Sequence, residues 1–124
     1  MTAKPIEVSV KTHYIAEQSD PADHRFVYAY TVTIRNTSDT PTQLLSRHWR
    51  ITNGDNDVQE VRGEGVVGEQ PHLAPGDEYT YTSGVVLETE IGTMEGSYQM
   101  ITDEGATFDA EVPAFALVPP HALH

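Results

Sequence analysis

The chain contains no cysteine. That absence excludes disulfides, thiolate zinc sites and thiol nucleophiles, and it accords with a reducing compartment. Basic residues are also scarce and confined to one half. Seven Lys and Arg stand against nineteen Asp and Glu, the net charge is −12, and no base follows Arg62. The acidic second half repels phosphate-rich polymers and anionic membranes, so nucleic-acid binding is not expected. The same charge favours cations or a basic protein partner, and in the plainest reading keeps a small domain soluble. No apolar run is long enough to span a bilayer, and Met1-Thr2-Ala3-Lys4-Pro5 leads into an alternating strand rather than an apolar signal core. A cytoplasmic protein without a membrane span is therefore expected, in which the Asn36-Thr37-Ser38 sequon has no relevance. Helical periodicity is missing from every window.

What is present is strand alternation with turn chemistry. The 124 residues fit a single domain over 1–124, which at this size buries roughly two-thirds of its unfolded surface. Ile6 to Tyr14 alternates Ile6, Val8, Val10 and Tyr14 with polar residues. Phe26 to Arg35 is the strongest strand, with Phe26, Tyr28, Tyr30, Val32 and Ile34 on one face. In Gln43 to Thr52, period two places Leu45, Arg47, Trp49 and Ile51 on one side and Leu44, Ser46, His48 and Arg50 on the other. Arg47 in an apolar row needs a carboxylate, backbone carbonyls or the sheet edge. Asn53-Gly54 reads as a hairpin turn in which both residues accept φ > 0, followed by a strand from Val58 to Arg62. Ala74-Pro75-Gly76-Asp77 reads as a type II turn.

Tyr79 to Thr82 alternates again, Gly84 to Glu90 has no clear assignment, and Thr93 to Ile101 sets Met94, Tyr98 and Met100 on one face. Gly96 in that strand marks a bulge or close approach. Asp103-Glu104-Gly105 makes a further turn. Thr107 to Val112 is a strand that Pro113 is expected to break, leaving a short last strand at Phe115 to Val118 and a mobile tail over 119–124. Seven to eight antiparallel strands at this spacing predict an all-β, immunoglobulin-like or fibronectin type III-like sandwich.

The one irregular stretch with a recognisable spacing is Arg62-Gly63-Glu64-Gly65-Val66-Val67-Gly68-Glu69-Gln70-Pro71. Gly63, Gly65 and Gly68 match G-x-G-x-x-G, but no helix follows and a βαβ unit is absent. A bare concavity of N–H groups can still hold an anion. An anion or partner site would use Arg62, Gly63, Gly65 and Gly68, with Arg47 and Arg50 as the available cations. Glu64 and Glu69 oppose a phosphate there, and the alternative is a structural role for the glycines at bulges or a chain crossing. His13, His24, His48 and His72 could join surface carboxylates around a divalent cation, yet no metal-ligand spacing emerges, and Asn53-Gly54-Asp55-Asn56-Asp57 lacks the order of a calcium loop. Ser46 and His48 share a strand face without a third orienting group, so no catalytic residue is named and no enzyme is expected. No cofactor is implied beyond the option of a divalent cation.

Three stretches carry a family resemblance: Gln43-Leu44-Leu45-Ser46-Arg47-His48-Trp49; Val61 to Pro71; and Tyr81-Thr82-Ser83-Gly84 with Gly92 to Met100 and Pro113-Ala114-Phe115. The chain resembles the ApaG family over nearly its whole length. That resemblance implies a fibronectin type III-like sandwich and an association with cobalt and magnesium resistance or efflux. With no span to move an ion, such a role implies action through an unidentified protein partner. A related domain in some eukaryotic F-box proteins resembles a protein-recognition module. Bacterial members are often encoded near a diadenosine tetraphosphate hydrolase, which keeps a small phosphate ligand, pyrophosphate or a dinucleoside polyphosphate, in view.

Overall fold

The alternating segments pair into two antiparallel sheets. The computed structural model describes residues 5–122; of the expected tail, Leu123 and His124 lie outside these residues. The strands are β1 (Ile6–Tyr14), β2 (Phe26–Asn36), β3 (Thr42–Asn53), β4 (Val58–Glu64), β5 (His72–Leu73), β6 (Glu78–Leu87), β7 (Gly92–Thr102) and β8 (Thr107–Leu117). One sheet has the order β1-β2-β6, the other β4-β3-β7-β8, with β5 also pairing β3. This is an all-β sandwich of the fibronectin type III-like kind, and the inner faces of both sheets form one core.

Tyr28, Tyr30, Val32, Ile34 and Tyr81 from the first sheet meet Leu44, Trp49, Ile51, Met94, Tyr98 and Met100 from the second. Trp49, 2% exposed, sits edge-on to Tyr30, Tyr98 and Phe115. Its ring lies on Gly96, where a Cβ would also strike the His48 carbonyl oxygen. The glycine predicted as a close approach is therefore one.

Three expectations change. Leu44 is fully buried and Leu45 only partly, because a bulge between Leu44 and Ser46 adds one residue to β3 opposite β7. One extra residue reverses the period-two parity, which sends Leu44 inward along with Trp49. Pro113 does not break its strand: β8 runs through it, at a register shift where Met94 pairs Phe115 and Gly96 pairs Val112. Bulge and edge position together remove the need for the missing N–H. At the β3–β4 turn the positive φ belongs to Asn56, not to Asn53 or Gly54, and the Asn53 side chain accepts the Asp55 and Asp57 N–H groups instead. The Ala74–Asp77 turn closes as expected, with Gly76 at φ +86°. Gly84 to Leu87 extends β6. Pro119 is buried, and Pro120–Ala122 form one 3₁₀ turn.

Candidate functional site

β4 and β5 flank the same edge of β3, β4 along Ser46–Thr52 and β5 along Thr42–Gln43. The glycine-rich stretch is the excursion between them. It is anchored at the bulge: Gly65 N–H and Gln70 Nε2 both donate to the Leu45 carbonyl, and Leu44 N–H donates to Pro71 O.

Each glycine then has its own reason. Gly63 pairs with Arg47 across the strands, and the Arg47 guanidinium lies over it; a Cβ there would come within 2.8 Å of the guanidinium atoms. Gly65 takes φ +63°, and a Cβ would collide with the Glu69 carbonyl. Gly68, at φ +81°, is the second residue of a tight turn closed by Val66 N–H to Glu69 O (2.8 Å) and Glu69 N–H to Val66 O (3.0 Å). Val67 precedes it at φ +50°. Two successive positive φ values define a type I′ turn. Val66 plugs into the core, while Val67 projects from the tip, 63% exposed.

The six residues named from the sequence divide. Arg47, Gly63 and Gly65 come together: Arg47 Nη1 donates to Glu64 O (3.0 Å) and Gly65 O (2.8 Å), so the cation in the apolar row is satisfied by backbone carbonyls. Arg62 and Arg50 lie on the exposed outer face, opposite His48 and Glu60 respectively. Gly68 is at the tip. Arg47, Arg62 and Gly63 share an open groove of about 520 Å³ with Ser46, His48 and Asp109. A second groove of about 280 Å³ is lined by Arg47, Val67, Gly68, Tyr30, Tyr81 and Thr82. Arg50 lines neither.

Pattern reading missed the tyrosine pair of which Tyr81 lines the second groove. Tyr81 Oη and Tyr98 Oη are 2.5 Å apart and tie the two sheets together. Burial pushes the Tyr81 hydroxyl up to about 12, with the Tyr98 bond and then Arg47 working in the opposite direction. Burial raises Tyr98 further still. Val67 also escaped notice, because the sequence signal for a type I′ turn is Asn-Gly or Asp-Gly and a β-branched residue there carries none.

Three histidines each pair with one carboxylate, His48 with Glu60 (2.9 Å), His72 with Asp103 (2.7 Å) and His121 with Glu90 (3.2 Å), whereas His13 on β1 and the exposed His24 join none of these pairs. Among the described residues no three His, Asp or Glu side chains are grouped to hold a metal ion. Ser46 Oγ donates to Gln99 Oε1 at 2.8 Å, so Ser46 and His48 each face other partners.

Fold and site together define a small fibronectin type III-like sandwich carrying a folded glycine-rich turn on one edge. The family model described as the ApaG domain matches residues 16–102. The chain is 58% identical over 123 residues to Protein ApaG of Pseudomonas aeruginosa, covering 99% of this chain and 98% of that one. It is 56% identical over 119 residues to Protein ApaG of Pseudomonas putida, covering 96% and 94%. The crystal structure of a Bordetella pertussis protein described as ApaA superposes with a TM-score of 0.92 at 50% identity, covering 94% of this chain and 95% of that one. The chain belongs to the ApaG family. No helix among the described residues is long and apolar enough to cross a membrane.

Proposed function

We propose that the chain is a cytoplasmic, non-catalytic interaction module that engages a protein partner through the Val66–Glu69 turn and the groove beside it. The association of the family with cobalt and magnesium resistance or efflux then operates through that partner. The observation that carries this reading is Val67. A β-branched side chain at positive φ costs roughly 1–2 kcal/mol, and at 63% exposure it recovers little of that by burial. A strained apolar residue held out on a rigid turn is the geometry of a contact point, since its burial is realised only in a complex.

The test is capture with immobilised wild type and Val67→Asn. Asparagine tolerates this conformation, so the variant keeps the fold and gains about 1 kcal/mol in urea denaturation, while its partner is lost. A reproducible partner held equally by both proteins would refute the reading.

Arg47 favours a second reading, an anion site for pyrophosphate or a dinucleoside polyphosphate, with a divalent cation as counter-charge. It is half-buried and, among the described residues, has no carboxylate ion partner. Against it, the N–H groups of Gly65, Val66 and Glu69 are already bonded within the protein. Millimolar pyrophosphate would shift the amide resonances of Gly63 to Gly68 and the Arg47 Nε signal; a silent titration there removes this option.

A further inference from the structure

Among the described residues, three of the four sheet edges are guarded. β1 carries Lys11 and runs alongside β8. β8 has Pro113 and a bulge. β4 is short, contains Arg62 and ends under the Arg47 guanidinium. Charge, proline, bulges and short length are the usual means of keeping an edge from pairing with another chain. β6 has neither proline nor bulge, and its one charged residue, Glu78, stands at its first position. It is ten residues long, contains no Lys, Arg or Pro, and pairs with β2 from Arg35–Glu78 to Phe26–Leu87 without a register shift. Among the described residues nothing pairs with its other side.

One exposed valine, Val86, lies on β6, and two more, Val58 at the start of β4 and Val67 on the glycine-rich turn, line the grooves beside it. Val86 and Val58 line a groove of about 210 Å³ together with Asp57 and Glu88. Further along, Thr82 and Ser83 share the second groove with Val67 and Glu64. The track is thus apolar at separated points and acidic along its rims, with Arg47 turned into the carbonyls of Glu64 and Gly65.

We propose that β6 is a docking strand: an extended segment of a partner protein, apolar at alternate positions and flanked by Lys or Arg, adds to it as the fourth strand of the sheet. Backbone hydrogen bonds would supply affinity, the valines pockets for alternate side chains, and Asp57, Glu64 and Glu88 the preference for a basic sequence. A second copy of the chain is the poorer occupant, because each carries a net charge of −12 and a β6–β6 seam aligns Glu78 and Glu88 from both copies. The proposal rests on the interaction-module reading and names the partner's chemistry and the strand it pairs with.

The experiment uses the full chain and three synthetic peptides matching the ten residues of β6 in length. One alternates valine and threonine between terminal lysines, one has glutamate in place of lysine, and one has a central proline. At millimolar concentration the lysine peptide should slow amide exchange along β6 and bind at least about tenfold tighter than the glutamate peptide, a difference of roughly 1.4 kcal/mol. The proline peptide should fail, and the surface variant V58K/V86K, checked for its fold by circular dichroism, should lose the interaction. No protection of β6, equal binding of both charges, protection at another edge, or concentration-dependent dimerisation through β6 each overturns the proposal. If Val67→Asn loses its captured partner while V58K/V86K keeps it, the module reading stands and the β6 assignment falls.

Discussion

Asn36 shows how much one side chain can organise. It is fully buried, its Nδ2 donates to Thr40 O (2.9 Å) and Leu73 O (3.0 Å), and its Oδ1 accepts from Ser38 N–H and Ser38 Oγ. Thus one amide fastens the end of β2, the following turn and β5, and leaves no room for a glycan on the Asn36-Thr37-Ser38 sequon. Asn36→Ala strands several of those groups at once, and about 3 kcal/mol of stability should be lost in urea denaturation. A loss below about 1 kcal/mol would mean that water replaces the amide. Asn36 was legible only as a turn residue, since a buried hub is defined by Leu73, thirty-seven positions away. Gly63 is similar: the glycine was visible, but its reason, the Arg47 guanidinium above it, depends on strand register.

Strand existence was easy to read, strand continuity less so. β2 was plain because alternation, β propensity and inward burial agree along it. β3 and β8 each contain a bulge, and a bulge inverts a period-two pattern without leaving a compositional mark. For β8 the physical account predicts tolerance. Pro113→Ala should change stability by no more than about 1 kcal/mol, the entropy gained by the unfolded chain being the main effect. Thermal unfolding measures it, and a larger loss would show that the proline ring packs in a way the bulge argument omits. The glycine-rich excursion belongs with these elements, because it departs from the β3 edge where the Leu45 carbonyl is offered.

Across the sandwich, the tyrosines set how the molecule responds to alkali. Burial pushes Tyr28 up to about 12 from an ordinary value of 10.0, helped by the neighbouring Tyr14 and Glu90, and Tyr81 shifts to about 12 from the same starting value. A raised folded-state value means that the unfolded chain releases its protons first. The stability these groups contribute is therefore whole below pH 10 and is lost as pH rises toward 12. Urea midpoints should be level below that window and fall within it, with ionisation of Tyr28, Tyr81 and Tyr98 accompanying separation of the sheets. Early ionisation of Tyr81 or Tyr98 in the folded protein, followed by NMR of the ring resonances, would contradict the burial of that pair.

Local covalent chemistry settled a good part of this protein. Alternation and turn residues dictated an antiparallel all-β sandwich, glycine permitted the positive φ angles at Gly65, Gly68 and Gly76, and the placement of every base before Gly63 made the second half acidic. Long-range pairing decided the rest. Which arginines meet the glycines, that Val67 stands strained at a turn tip, that Tyr81 and Tyr98 join the sheets, and that β6 has the least guarded sheet edge among the described residues all follow from register and strand order. Those are set by summed burial over residues far apart in the chain, where one bulge changes which side chain faces the core.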